Sequence, residues 1–267
     1  MDRSTVKLVK DLLKFNIYVS RRDLGAAAAS DLAEVMKSLL EKQDALNMVF
    51  AAAPSQQEFL EELCKRDDID WRRVNAFHMD EYVNLPEDAP QRFGNFLKTR
   101  LFDKCPFHSI YYLNGDHGVA EECERYTALL QACPLDIVCL GIGENGHIAF
   151  NDPHVADFSD PDWVKEVSLD EVCRQQQVND GCFRQLDDVP THALTLTISA
   201  LKQARYFFCM VPGKTKANAV FHTFMDEISE KVPATCLRLF DNATLYADTD
   251  SASALLSFIT EEIFNGN

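Results

Sequence analysis

The stretch from position 135 to position 153 reads LDIVCLGIGENGHIAFNDP, and it is the most informative segment for the fold. Leu135–Leu140 is mostly apolar and is followed at once by a turn that begins with Gly141. Apolar residues at consecutive positions are typical of a strand buried on both faces, as in parallel sheets covered by helices on each side. This stretch therefore predicts an inner strand of an α/β sheet, with a glycine-rich turn at its carboxyl end.

Three other segments repeat this pattern of an apolar run and a polar turn. They are Leu46–Ala53 before Pro54-Ser55, Val74–Met79 before Asp80-Glu81, and Tyr206–Val211 before Pro212-Gly213-Lys214. Two of the turns lead into helical sequence, QQEFLEELCKR and TKANAVFHTFMDE. Strand, turn and helix in alternation predict a three-layer α/β fold, with a mainly parallel, doubly wound sheet and helices on both faces. Because ligands bind beside the carboxyl ends of such strands, we expect the turns to converge on one site.

The remaining segments are predicted to complete a single domain over residues 1–267. Asp23 is a predicted N-cap for a helix that reads LGAAAASDLAEVMKSLLEKQ. Near the end of the chain, ATLYAD is typical of a strand and SALLSFITEEIF of a helix. Residues 151–190 are polar, acidic and without clear periodicity. Their length favours an active-site flap with short helices, lying over the carboxyl ends of the strands, rather than a structureless loop.

The composition excludes several classes of partner. The chain has 26 Lys and Arg against 42 Asp and Glu, a formal net charge of −16. An excess of acidic residues argues against a surface for nucleic acid or for an anionic membrane, because no basic excess is present to neutralise phosphates. We therefore expect a small-molecule ligand, with a homo-oligomer as an open possibility.

The nine cysteines and the first residues of the chain indicate the compartment. The cysteines are odd in number, scattered, and include no C-x-x-C pair of zinc or redox type. They are predicted to be reduced thiols. The start, MDRSTVKLVKDLLKF, mixes charged and apolar residues unlike a secretory signal, and no window resembles a membrane span. A soluble protein located in the cytoplasm, with no metal site, is expected.

The glycine-rich turn carries a candidate acid–base pair. Gly143 and Gly146 allow main-chain N–H groups to approach a ligand, and His147 follows directly. Asp152 lies five residues further on, where a carboxylate could fix the tautomer of the imidazole. The alternative is a turn in which the histidine merely bonds a main-chain carbonyl. A dinucleotide-binding fingerprint is excluded, because HIAFNDP does not open a helix.

A second motif, FHMDEYVNLP, places acids at the end of a predicted strand. Asp80 could act as a general base, and Tyr82 could hydrogen-bond a sugar or the acid itself. The alternative is a helix cap and a solvated charge.

Three further segments are candidates for anion binding. VPGKTKANAV fails the Walker A pattern, because its first glycine would fall at Phe208, but it places Lys216 at the start of a helix. Ser55 or Gln56 could cap the next candidate helix and bind an anion at its N-terminus. Arg174, in the flap, is a candidate phosphate clamp. Solvated lysines, simple helix capping and a surface arginine are the respective alternatives.

Together, FHMDEYVNLP, GIGENGHIAFNDP, VPTHALTLTISAL and GKTKA resemble the glucosamine-6-phosphate deaminase/isomerase family, in this order and spacing. Its sister group, the 6-phosphogluconolactonases, has an acid-Glu-Arg string where this chain has Asp80-Glu81-Tyr82. That group also has Thr-Ala-Ser where this chain has Ile148-Ala149-Phe150-Asn151. Both differences favour the deaminase side.

The resemblance implies a chemistry without metal or cofactor. An amino-sugar phosphate, a 2-amino-2-deoxyhexose 6-phosphate, would become a ketohexose 6-phosphate with loss of ammonia. Asp80 matches the base that moves the C2 proton, and His147 matches the histidine that opens the sugar ring. Asp152 takes the place of its partner carboxylate, Lys216 matches the phosphate-binding lysine, and Arg174 is nearest to the flap arginine.

Three positions depart from the family pattern. Asn145 stands where the family often has Asp, and it can orient an imidazole without supplying charge. Asp152 stands where Glu is usual, and Ala51–Ser55 replaces a Gly/Thr-rich phosphate loop. Two other functions stay open: a lactonase-type hydrolase that uses His147 as a base for water, and a non-catalytic sugar-phosphate-binding protein. The second is disfavoured, because a sensor needs the lysine but neither proton-transfer group.

Overall fold

The computed structural model describes residues 5–265, in which eleven strands and eight α-helices alternate. The strands are β1 (Val6–Lys10), β2 (Leu13–Tyr18), β3 (Leu46–Phe50), β4 (Val74–His78), β5 (Asp80–Tyr82), β6 (Ser109–Tyr111), β7 (Ile137–Leu140), β8 (Val164–Ser168), β9 (His192–Leu196), β10 (Tyr206–Val211) and β11 (Ala243–Asp248). The helices are α1 (Arg21–Leu40), α2 (Gln57–Cys64), α3 (Phe93–Leu97), α4 (Val119–Ala132), α5 (Glu171–Asn179), α6 (Ile198–Leu201), α7 (Ala217–Met225) and α8 (Ser253–Asn265). A π-helical turn, Lys98–Phe102, continues α3.

Eight of the strands form one sheet in the order β1-β2-β11-β10-β7-β3-β4-β6. Every neighbouring pair from β2 to β6 is parallel, and only β1 pairs antiparallel with β2. Buried apolar clusters cover the two faces. The predicted α/β class, with a mainly parallel sheet between helices, is confirmed.

The inner strands stop at nearly the same level of the sheet. Phe50 of β3 pairs with His78 of β4 on one side and with Cys139 of β7 on the other. Cys139 in turn pairs with Phe208 of β10. The four turns that follow these strands therefore start side by side, as the sequence predicts.

A smaller antiparallel sheet, β5-β9-β8, lies beyond the end of β4. Its first strand begins at Asp80, which pairs with Thr195. The segment 151–190, predicted as a flap, contributes β8 and α5, so it contains a strand as well as helical turns.

Helix α1 begins earlier than the sequence indicates. Its N-cap is Ser20, whose hydroxyl accepts a hydrogen bond from the main-chain N–H of Asp23 at 3.2 Å. Asp23 lies inside the first turn, where a carboxylate favours the positive end of the helix dipole. The prediction of Asp23 as N-cap was therefore wrong by one turn. Of the two residues predicted to cap the next helix, Gln56 is the N-cap residue of α2, but its side chain makes no capping hydrogen bond, and Ser55 lies in the helical turn before it.

Among residues 5–265, no helix is both long enough and apolar enough to cross a membrane.

Candidate active site

A cavity of about 310 Å³ opens at the carboxyl ends of β3, β4, β7 and β10. Its walls come from the turns after these strands, from α5 and from the start of α1. The lining includes Arg21, Ser55, Asp80, Phe93, Gly143, His147, Gln177, Asp180 and Lys216. Five of these residues, Ser55, Asp80, Gly143, His147 and Lys216, come from the sequence prediction, and the fold brings them together across about 160 positions of sequence.

His147 is held by two side chains of its own loop. Its Nδ1 lies 2.8 Å from Asn145 Oδ1 and 2.9 Å from Asp152 Oδ1. The amide nitrogen of Asn145 donates to Asp152 Oδ1 at 2.9 Å, so the amide oxygen of Asn145 is the atom that faces His147. This amide oxygen and the Asp152 carboxylate oxygen can only accept hydrogen bonds. Nδ1 therefore carries a hydrogen, and Nε2 is the ring nitrogen left for a ligand.

Gly143 makes room for this imidazole. A Cβ at position 143 would lie 2.2 Å from His147 Cε1, so any other residue would displace the ring. Ala149, two residues after the histidine, has a φ of 50°, a conformation that non-glycine residues seldom adopt. The loop is therefore shaped to place the ring at the cavity wall, at some cost in backbone strain.

Asp152 is fully buried behind His147. Burial would raise the pKa of this carboxyl, but the hydrogen bond and charge of His147, with donors from Asn145 and Cys173, hold the pKa below its ordinary value. Asp152 is thus stabilised in its charged form, which suits a partner for an imidazolium.

Asp80 lines the same cavity and is buried, and its side chain makes no hydrogen bond to the described part of the chain. Burial, reinforced by the neighbouring charge of Glu81, raises its pKa well above the ordinary value. A carboxylate in this state is a stronger base than an exposed one.

The main chain of Asp80 is anchored by His78. Leu113 N–H donates to His78 Nε2 at 2.9 Å, so the hydrogen of the neutral ring is on Nδ1, which donates to Asp80 O at 2.9 Å. Burial lowers the pKa of His78 to about 4, so the ring is neutral at physiological pH. A fixed tautomer therefore holds the start of β5 in place.

Glu81 turns away from the cavity and caps α3. Its carboxylate accepts hydrogen bonds from Phe93 N–H and Gly94 N–H, both at 3.0 Å. Burial raises the pKa of Glu81 to about 7, although these donors oppose the shift. A helix cap was the alternative interpretation of Asp80-Glu81. It holds for Glu81, whereas Asp80 lines the cavity.

Lys216 is 5% exposed, and its ammonium group forms no hydrogen bond or ion pair within residues 5–265. Burial lowers its pKa, and the charges of Asp180 and Glu144 oppose that effect. A buried ammonium group with few partners is available for an anion that enters the cavity.

Comparison with known proteins identifies the family. A sequence model of the family described as glucosamine-6-phosphate isomerases/6-phosphogluconolactonase matches residues 19–246. The chain belongs to this family. The resemblance seen in the sequence motifs is thereby confirmed.

Relatives within the glucosamine-6-phosphate isomerase/6-phosphogluconolactonase family include two deaminases. The chain is 38% identical over 199 residues to a glucosamine-6-phosphate deaminase of Bacillus cereus strain B4264, covering 74% of each chain. It is also 38% identical, with the same coverage, to the glucosamine-6-phosphate deaminase of Bacillus anthracis strain CDC 684.

Solved structures of the same family have the same fold. A monomeric glucosamine-6-phosphate deaminase superposes with a TM-score of 0.81 at 27% identity, over 90% of this chain and 99% of that one. The 6-phosphogluconolactonase of Trypanosoma brucei superposes with a TM-score of 0.75 at 17% identity, over 94% and 100% of the two chains. At that identity, the second likeness concerns the fold alone.

Two residues predicted to touch a ligand lie away from the cavity in this family member. Tyr82 is fully buried among aromatic rings, including Phe93 and Phe150, and cannot reach a sugar. The guanidinium of Arg174 donates to the carbonyls of Leu186 and Val189, at 2.8 and 3.0 Å, and does not line the cavity. Arg174 therefore holds the flap together, and its prediction as a phosphate clamp is not supported.

Two further predicted residues support the cavity from behind. The amide of Gln56 donates to Ser55 Oγ at 3.1 Å and to Met210 O at 3.3 Å, so it joins two of the turns. Gly146 has a φ of 82°, and a Cβ there would lie 2.9 Å from Val232. Neither residue lines the cavity.

Arg21, Gln177 and Asp180 line the cavity although no sequence motif predicted them. Arg21 lines the cavity and bonds both Glu58 Oε1, at 2.6 Å, and Pro54 O, at 3.2 Å. The position of Arg21 at the start of a helix could have drawn attention to it. An arginine is unfavourable at the positive end of the helix dipole unless another role requires it. Gln177 and Asp180 lie in and just after a polar helix with no motif, so no local signal could have found them.

Two clusters among the described residues bring potential metal ligands within 4.8 Å of one another. One comprises His147, Asp152 and Cys173, and the other Asp152, His154 and Asp170. In the first, the Nδ1–H of His147 and the Asp152 carboxylate are engaged with each other, which favours proton transfer over metal binding. Chemistry without a metal stays a prediction.

Proposed function

We propose that this protein converts a 2-amino-2-deoxyhexose 6-phosphate, glucosamine 6-phosphate above all, into a ketohexose 6-phosphate and ammonia. One observation carries the proposal: a buried carboxyl group, a histidine–carboxylate pair and a buried lysine line a single cavity. The three groups are suited to proton abstraction, ring opening and phosphate binding, which are the needs of this reaction.

Lys216 and Ser55 are proposed to bind the phosphate. They lie on the turns after β10 and β3, the two strands on either side of β7, and Gln56 joins the second turn to β10 by donating to Met210 O. Arg21 lines the same cavity and adds a second positive charge. A phosphate bound by these groups would supply the negative charge that the buried ammonium group lacks.

His147 is proposed to open the sugar ring. Its Nε2 takes the proton of the anomeric hydroxyl and returns a proton to the ring oxygen, so that the C1 aldehyde forms. Asp152 supports the imidazolium between these transfers, because the two side chains are 2.9 Å apart. Asn145 holds both groups in place, because its amide donates to Asp152 and its carbonyl accepts from His147.

Asp80 is proposed to move the proton from C2 to C1. The C1 carbonyl acidifies the C2 proton, and its removal gives an enolamine. Protonation at C1 then leaves an imine at C2, which water converts to the ketone and ammonia. The raised pKa of Asp80 lets this carboxylate accept the proton and hold it until it is returned to C1.

The deaminase relatives favour this reaction over lactone hydrolysis, the main alternative. The two reactions share the fold and a histidine, but only the isomerisation needs a base at C2. A coupled assay for ammonia and fructose 6-phosphate release from glucosamine 6-phosphate, run beside hydrolysis of 6-phosphogluconolactone, decides between them. Release of ammonia that is lost in Asp80→Asn is expected, whereas lactone hydrolysis alone would overturn the proposal.

The epimer and N-substituent of the preferred substrate are to be read from the same assay on a panel of hexosamine 6-phosphates. A cytoplasmic location, the absence of a cofactor and a homo-oligomer stay predictions.

A further inference from the structure

Two cysteine side chains lie in contact on the side of the molecule where α2 packs against the π-helical turn. Cys64 is the last residue of α2, and Cys105 follows the turn by three residues. Their sulfur atoms are 3.8 Å apart, with the Cys105 thiol donating to Cys64 Sγ. The Cys64 thiol in turn donates to Arg100 O at 3.4 Å.

We propose that Cys64 and Cys105 form an oxidation site, which closes to an intramolecular disulfide by exchange with a small disulfide such as oxidised glutathione. The inference is independent of the proposed function, because neither sulfur lines the cavity.

The two thiols differ in access, and the difference assigns their roles. Cys64 is partly exposed, so a small disulfide can reach its sulfur, whereas Cys105 is 5% exposed and can react only with a neighbour inside the protein. Cys64 is therefore the attacking thiol, and Cys105 is the resolving thiol.

Their environments reinforce these roles. The hydrogen bond from Cys105, opposed by burial and aided by the charge of Lys104, lowers the pKa of Cys64. The pKa of Cys105 is raised, because its proton is shared with Cys64 and its sulfur is buried. Cys123, Cys133 and Cys182 are also partly exposed, but none of them hydrogen-bonds to a second thiol within the described residues, and burial raises the pKa of Cys123 and Cys182 to about 11. Thiolate is the reactive form, and the contact with Cys105 favours it at Cys64, so Cys64 should react first.

The reaction balances in two exchange steps. Cys64 thiolate attacks one sulfur of the small disulfide, forms a mixed disulfide and releases one small thiolate. Cys105 then loses its proton and attacks the Cys64 sulfur, which releases the second small thiol and closes the ring. The protein dithiol loses two hydrogens, and the small disulfide is reduced to two thiols. The sulfurs must approach to about 2.0 Å, which rotation of two side chains can supply.

The disulfide would join two segments that carry walls of the cavity. Helix α2 continues from the turn that bears Ser55, and α3, which runs into the π-helical turn, begins with the lining residue Phe93. The cross-link spans 41 positions of sequence, so it should restrict the unfolded chain and raise the melting temperature of the oxidised protein.

The test uses the reduced full-length chain incubated with oxidised glutathione and analysed by intact mass and peptide mapping. The expected product has lost two hydrogens, carries no glutathione and yields a cross-linked peptide pair containing Cys64 and Cys105. Cys105→Ser should instead accumulate one glutathione on Cys64, because the resolving thiol is gone. Cys64→Ser should form neither product, and Cys123→Ser, the matched control, should behave as the wild type.

Kinetics with a chromogenic disulfide provide a readout that does not require the variants to fold identically. In the wild type, the fast phase should release two chromophore equivalents for each Cys64 that reacts, and it should be about tenfold faster than the reaction of Cys123 or Cys182. A stable glutathione adduct on Cys64 in the wild type, or a cross-link through other cysteines, would overturn the proposal.

Discussion

Asp80 lines the cavity and Asp152 lies behind its histidine, and the surroundings of these two buried carboxyl groups shift their pKa values in opposite directions. Asp80 has no hydrogen-bond donor for its side chain within residues 5–265, and burial raises its pKa. Asp152 is even less exposed, yet His147 and Asn145 hold its pKa below the ordinary value. The hydrogen-bond donors to each carboxylate, rather than its burial or residue type, therefore decide its role. The carboxylate without donors can take a proton, and the one with donors stabilises a neighbouring positive charge.

The backbone explains why the partners differ. Asp152 lies in the same loop as its donors, five and seven positions after them, so the loop closes on itself. Asp80 begins a strand of the smaller sheet, and the donors nearby are already taken by Glu81. The side chain that lacks donors is the one that faces the cavity.

Asp80→Asn should cause the largest loss of activity of the variants considered. The amide keeps the shape but cannot accept the C2 proton, so turnover should fall by ~10²–10⁴ while substrate still binds. Steady-state kinetics together with ligand titration measure both quantities. Turnover close to that of the wild type would eliminate Asp80 as the base.

The same variant should also be more stable than the wild type. A carboxyl whose folded pKa is raised binds its proton more tightly in the folded state, so its stabilisation is lost as pH rises through the folded pKa. The melting temperature of Asp80→Asn should exceed that of the wild type by a margin that widens as pH rises above the ordinary pKa of an aspartate towards the raised pKa of Asp80. A margin that stays constant would show that the environment does not raise the pKa of Asp80.

Asp152→Asn should have the opposite effect on stability and a smaller one on activity. A carboxyl with a lowered folded pKa stabilises the fold above its unfolded pKa, and this contribution is lost as pH falls through the folded pKa. The variant should therefore melt lower than the wild type at neutral pH, and the difference should shrink in acid.

The loss of activity in Asp152→Asn should be about 10²-fold on the closed pyranose, because the imidazolium loses its supporting charge. Solvent-proton exchange into the ketose product starts from an open chain and should be affected less. The pH profiles of both reactions are to be compared in the two proteins. Equal losses would mean that Asp152 only maintains the shape of the loop.

Lys216→Met tests a buried cation in the same way. The Lys216 ammonium group, like the Asp80 carboxyl, has no hydrogen-bond partner within residues 5–265, and burial lowers its pKa. Binding of inorganic phosphate and of phosphorylated sugars should weaken by about 10-fold to 100-fold, whereas binding of unphosphorylated hexosamine should not change. If calorimetry finds equal losses for all of these ligands, the phosphate binds elsewhere.

Arg174→Gln should have the smallest effect on ligand binding. Its guanidinium is occupied by carbonyls of residues 186 and 189, so phosphate affinity should change by less than about twofold. The melting temperature should fall, because buried carbonyls lose their donors. A marked loss of phosphate affinity with unchanged stability would mean that Arg174 binds the phosphate directly.

The inner strands, the alternation of strand and helix, and the turns where a ligand would bind can all be predicted from local patterns in the sequence. Consecutive apolar residues specify a strand that is buried on both faces, and parallel strands place their following turns along one edge. The pairing of His147 with Asp152 was also accessible, because both belong to one short loop. Signals of this kind act over a few positions and need no knowledge of distant segments.

Which side chains face the cavity, and what each one contacts, depends on the tertiary structure. Tyr82 packs into an aromatic cluster, the guanidinium of Arg174 bonds to carbonyls, and Arg21 and Asp180 meet at the cavity from 159 positions apart in sequence. The pKa of Asp80 rises because other segments cover it without offering a donor. The groups that surround Asp80, Tyr82 and Arg174 come from distant parts of the chain. A local sequence pattern predicts the strand or helix but not the side chains that pack against it.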